Sequence, residues 1–133
     1  MNSRSEEALT RLREGNARFA EERSTARFSA EQRAAVVGGQ RPWAVIVGCS
    51  DSRVPVEAVF DVGVGELFVV RNAGHVVDDA ALASIRFALE GLGAQTVVVL
   101  GHEECGAVAA ALAGSTHEWL DAVMERIDVK GVD

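Results

Sequence analysis

Both cysteines of this 133-residue chain lie in strings that carry further metal ligands. Cys49 opens Cys49-Ser50-Asp51-Ser52-Arg53, and Cys105 ends His102-Glu103-Glu104-Cys105, with Gly106 next. Two thiolates, an imidazole and a carboxylate make a full tetrahedral zinc shell, and soft sulfur with imidazole selects zinc over magnesium, calcium or manganese. His102 and Cys105, three residues apart in a turn that enters a helix, can face one point. Asp51 has two competing partners, the metal as a fourth ligand or Arg53 as a bidentate ion pair. With Arg53 holding it, a coordination position opens for water, whose pKa zinc lowers to about 7. Asp51 would then orient the hydroxide at an electrophile, so the expected chemistry is hydration of a small carbonyl-like molecule. The competing readings are a Cys49–Cys105 disulfide and, for Asp51 and Arg53, an ordinary loop ion pair.

Such residues need a frame. Trp43-Ala44-Val45-Ile46-Val47-Gly48 is a short continuous apolar run, the pattern of a strand buried on both faces, and Cys49 falls at its C-terminal end. Leu67–Val70 and Thr96–Leu100 read as two more strands, with His102 just beyond the last. A helix is expected from Asp78 to Leu92, ended by Gly91 and Gly93, another over about Gly106–Leu112, and a last one from His117 to Ile127. Upstream, Ser5 is expected to cap an amphipathic helix carrying Leu9, Leu12 and Phe19, weakened or interrupted at Gly15-Asn16, and Ser29 to cap a second helix through Val37. Buried β-branched strands separated by a helix predict a parallel sheet, and open α/β sheets bind ligands beyond the carboxyl ends of their strands. Cys49 and His102 both fall there.

The bulk properties narrow the function classes. The length is one domain's worth, and a 48% hydrophobic composition makes a folded core the expectation. A net charge of −7 argues against nucleic acid and anionic membranes as partners. The first residues lack the apolar stretch of a signal peptide and no apolar run is long enough to span a bilayer, so a reducing cytoplasm is expected. Gly63-Val64-Gly65 precedes a strand instead of following one and is not a dinucleotide loop. His75 reads as a turn histidine or a proton shuttle, His117 as the start of the last helix, and Trp43 and Trp119 as packing residues.

From Ala8 to about Leu112 the chain resembles the β-class carbonic anhydrases. Cys49-Ser50-Asp51-Ser52-Arg53-Val54-Pro55 is similar to that family's first zinc motif and His102-Glu103-Glu104-Cys105-Gly106-Ala107-Val108 to its second. Phe60-Asp61 and Gly65-Glu66-Leu67-Phe68-Val69-Val70-Arg71-Asn72-Ala73-Gly74 resemble the segment between them, and Leu12, Gly15-Asn16, Phe19 and Gln40-Arg41-Pro42 the region before. The resemblance implies reversible hydration of carbon dioxide to bicarbonate by a zinc-bound hydroxide. It implies Cys49, His102 and Cys105 as zinc ligands, Asp51 and Arg53 as a gating dyad, and a Gly106 N–H near the substrate. It also implies a mainly parallel central sheet and a homodimer or higher homo-oligomer whose N-terminal helices pack on a partner subunit. The expected division is one domain with an N-terminal helical arm over 1–40, the zinc-site core over 41–112 and a short C-terminal helix over 113–133.

Two departures from the family pattern matter. Val62 stands where relatives commonly carry a bicarbonate-binding glutamine, and Val64 where proline is frequent. This makes a more apolar pocket the expectation and keeps carbonyl sulfide or carbon disulfide hydrolysis open. The second is length: family members continue through further helix and a late edge strand, whereas nothing after Val129 reads as a strand. The chain is thus expected to be a C-terminally abbreviated member with an edge left for another subunit, and a catalytically silent zinc-binding dimerisation module is the third reading.

Overall fold

The computed structural model describes residues 1–131, and its elements follow from local sequence and burial. Helix α1 (Ser3–Ala20) is capped by Asn2, whose side chain accepts from Ser5 N, so the cap lies three residues before the one expected. It runs through Gly15-Asn16 without interruption. Gly15 is buried where α1 meets the short helix α3 (Val56–Val59), and a Cβ on it would lie 1.8 Å from the Phe60 carbonyl oxygen. Tertiary packing outweighs the poor helix propensity of glycine here. Asn16 adds a side-chain hydrogen bond to the Val59 carbonyl (3.0 Å). Gly15→Ala is therefore expected to drive α1 off α3 and lower the melting temperature by about 10 °C or more. An unchanged thermal transition would contradict this packing.

Helix α2 (Ala30–Ala35) begins with a capping box in which Ser29 and Gln32 bond each other's backbone, and it gives way to turns before Val37. The sheet has three parallel strands in the order β2–β1–β3: β1 is Ala44–Cys49, β2 Leu67–Asn72 and β3 Val97–Leu100. All six residues of β1 are buried, as the unbroken apolar run requires of a central strand covered on both faces. Ala44 and Ile46 pack with Leu12, Val56, Phe60, Val62 and Leu67 on one face. Val45 and Val47 pack on the other with Ile85, Ala88 and Ala94, from helix α4 (Asp79–Arg86), its π-helical extension Phe87–Gly91 and the following loop. The result is a helix–sheet–helix sandwich.

The register pairs Cys49 with Asn72 and Gly48 with Leu100, which sets the ends of all three strands along one edge. Helix α5 (Gly106–Leu112) starts from that edge. Beyond it the expected single helix is replaced by a 3-10 turn, Glu118–Leu120, and the one-turn helix α6 (Asp121–Met124). Trp119 is not a packing residue. It is 79% exposed and stacks on His117, because the break turns it away from the core. Among the described residues no helix is long and apolar enough to cross a membrane.

Candidate metal centre

Cys49, the last residue of β1, faces His102 and Cys105 from the turn after β3. The three ligand atoms lie within 4.8 Å of one another. Both cysteines are 6% exposed, and they are free thiols with Sγ atoms 3.9 Å apart. A disulfide requires about 2.0 Å. Two thiolates on a tetrahedral zinc, each about 2.3 Å from it, stand roughly 3.8 Å apart. The spacing thus fits a shared metal and excludes the disulfide reading in this structure.

His102 supplies a second test of fit. Its Nδ1 lies 2.8 Å from the Glu103 carbonyl, which fixes the ring, while its Nε2 is buried with no hydrogen-bond partner. A buried imidazole nitrogen without a partner is costly unless something else takes its lone pair, and a ring held at Nδ1 by a carbonyl is the usual second support of a metal ligand. The turn that brings Cys105 alongside places Glu104 in the left-handed region (φ 55°).

Asp51 is held by Arg53. The guanidinium donates from Nε to Oδ1 (2.9 Å) and from Nη2 to Oδ2 (2.7 Å), and the Arg53 backbone N–H adds a bond to Oδ1 (2.9 Å). Arg53 also donates to the Glu104 carbonyl (3.1 Å), so one side chain ties the two motif loops together. The carboxylate still faces the cluster, with Oδ2 3.9 Å from His102 Nε2. Of the two partners open to Asp51, the guanidinium has it here. That bond and the backbone donor hold its carboxyl well below the usual carboxylate range, and Arg53 is pushed up in return.

Burial alone would raise the Cys49 thiol. The Gly74 N–H aimed at the sulfur, the neighbouring His102 ring, the Asp51 backbone and Cys105 outweigh it and bring the pKa to about 7 from an ordinary 9.0. His102 is raised chiefly by the neighbouring Cys49 sulfur. In metal-free protein the thiolate's contribution to stability is therefore complete above the unfolded value, near 9, and is lost as the pH falls through about 7. We expect the ultraviolet thiolate absorbance of metal-free protein to rise in a step centred near pH 7, absent from Cys49→Ser. A first step near 9 in both proteins would refute this.

Gly106 is the first residue of α5, so its N–H lies beyond the reach of intrahelical carbonyls at the mouth of the site. Val62 is not brought there. It is 5% exposed, in the core beside Leu12 and Phe60. His75 ends a 3-10 turn, Ala73–His75, and burial, with His102 nearby, pushes its pKa down. Sequence reasoning missed Arg71 as a support of the site. Its side chain donates to the Cys49 and Asp51 carbonyls (2.8 and 2.9 Å), and an arginine directly after the apolar run Leu67–Val70 was the available signal.

Comparison with known proteins agrees with this arrangement. The family model described as carbonic anhydrase matches residues 44–130. Carbonic anhydrase 2 of Mycobacterium tuberculosis is 53% identical over 103 residues, 77% of this chain and 50% of that protein. Among solved structures, a β-carbonic anhydrase of Aspergillus fumigatus superposes with a TM-score of 0.68 at 32% identity, covering 90% of this chain and 56% of that one. One of two tetrameric β-carbonic anhydrases from Sordaria macrospora gives 0.66 at 34% identity, covering 70% and 49%. The chain spans about half the length of the curated relatives it matches. With the family model matched over both ligand motifs and the β-class architecture reproduced around them, the chain belongs to the carbonic anhydrase family.

Proposed function

We propose that the chain is a zinc-dependent carbonic anhydrase, which hydrates carbon dioxide reversibly to bicarbonate and a proton. The observation that carries this reading is the three-donor cluster of Cys49, His102 and Cys105 beside an Asp51 already engaged by Arg53. Those three residues would hold zinc, which when bound supplies the Lewis acidity that makes water a nucleophile near neutral pH.

The chain's own residues account for the rest. Asp51, kept ionised, can only accept hydrogen bonds, so it would accept one from the nucleophile and turn that oxygen's lone pair toward the carbon of the substrate. Arg53 keeps that carboxylate away from the metal. Gly106 offers its free N–H to an oxygen of the bicarbonate formed. A silent metal-binding module is disfavoured, since it has no use for an arginine that withholds a fourth ligand.

The reading includes a homo-oligomer, a dimer or larger, supported by the tetrameric Sordaria relatives, with the exposed side of the arm over 1–40, where Phe19 and Phe28 lie, left for a partner. It also includes a reducing, cytoplasmic setting in which both thiols stay free for metal. Substrate choice is tested by steady-state comparison of carbon dioxide with carbonyl sulfide on zinc-loaded protein. A kcat/KM higher for carbon dioxide is expected. The reverse order would move the assignment to a sulfur-substrate hydrolase.

A further inference from the structure

The segment Arg71–Gly74, at the end of β2, contributes no ligand yet grips the first ligand loop at several points. Arg71 Nε donates to the Cys49 carbonyl (2.8 Å), and its Nη2 donates to the carbonyls of Asp51 (2.9 Å) and Val54 (3.4 Å). The Asn72 carbonyl accepts from Ser50 N (2.8 Å). The Gly74 N–H points at Cys49 Sγ, 3.3 Å away.

That amide is itself fixed. Asn72 closes a short loop with its side chain, accepting from Val76 N (2.7 Å) and donating to the Val76 carbonyl (2.8 Å). Gly74 sits at φ 77°, where a side chain is disfavoured, and a Cβ there would come within 2.9 Å of Ile127 Cδ1 and 3.0 Å of Ala107 Cβ. Backbone carbonyls held by a guanidinium fork cannot rotate without losing bonds, and an N–H aimed at a thiolate both directs it and draws off charge it would give a metal.

We propose that Arg71–Gly74 is the positioning element of the metal centre: Arg71 fixes the backbone of Cys49 and Asp51, and the Asn72-braced Gly74 amide sets the direction and donor strength of the Cys49 thiolate. This rests on the metal reading above, which assigns the ligands but not what holds them. It makes three residues outside the ligand set determinants of metal affinity.

The test uses the full chain with cobalt(II) as probe, read by its thiolate-to-cobalt absorption, and zinc affinity by chelator competition. Arg71→Gln is expected to weaken binding about 10–100-fold, the usual cost of an outer support. Arg71→Lys, which can satisfy one carbonyl but not three, recovers part of that loss. Asn72→Ala, with Arg71 intact, shifts the cobalt band by loosening the Gly74 amide. A purely structural role would lower the melting temperature and leave the band of the cobalt-loaded protein unmoved. Should Arg71→Gln fail to fold, Arg71→Lys and Asn72→Ala decide the matter. Wild-type band and affinity in those two variants overturn the proposal alone. A wild-type chain that takes up no cobalt overturns the metal reading and this proposal together.

Discussion

Loaded with zinc and passed over a desalting column, the Cys105→Ala chain should retain almost no metal, while the parent keeps about one ion per chain. Cys49 and His102 would remain, but two donors cannot hold zinc against water at the affinities of a three-ligand site. The loss should exceed the 10–100-fold typical of an outer-shell partner. The expectation follows from the 3.9 Å Sγ–Sγ spacing and from the partnerless Nε2 of His102, which make three donors converge on one point. Metal content measured by atomic absorption decides it. Stoichiometric zinc in the variant would mean that Cys105 is a buried thiol beside the site and not a ligand.

Removing the arginine should do something different. In Arg53→Ala the Asp51 carboxylate loses both side-chain donors and stands 3.9 Å from His102 Nε2, within easy reach of any metal held there. Zinc should be retained, while hydration falls about 10²-fold, the scale of a positioned acid–base group. The link between the motif loops through the Glu104 carbonyl is cut as well, so part of the loss reflects slackening of the turn before Cys105. Asp51→Asn separates the contributions: it keeps the side chain's shape but donates from its amide, and should lose activity to a similar extent with zinc bound. Full activity in either variant would remove the dyad from the mechanism.

The strands and their ends were legible because burial leaves a plain mark on sequence. Six apolar residues ending in Cys49 can only be a covered strand, and the position of the two ligand motifs follows from that. Short elements left no such mark. Helix α3 is one turn long and begins directly after Pro55, too brief for any periodicity to show. The stretch after His117 has apolar residues at helical spacing, yet the chain breaks there into two pieces, and Ile127 is spent on Gly74.

The convergence of Cys49, His102 and Cys105 was readable from residue type and spacing, but its supports were not. Nothing in Arg71 or Gly74 as letters says that one grips the Cys49 carbonyl and the other its sulfur. Those contacts exist because parallel pairing sets Cys49 beside Asn72. Asp61 was similarly opaque. It is a fully buried side chain held by Arg18 (2.5 Å) and by the backbone of Thr25 and Ala26, which keeps its carboxyl well below the ordinary range and staples the segment after α1 to the core. An acid flanked by apolar residues was its only signal in sequence.

Stopped-flow hydration of carbon dioxide by the zinc-loaded chain, set against the same protein stripped of metal, tests the central claim most directly. Turnover near neutral pH well above the uncatalysed rate, absent from the stripped protein and restored by one equivalent of zinc, is the predicted result. A zinc-replete chain that hydrates carbon dioxide no faster than buffer would contradict it.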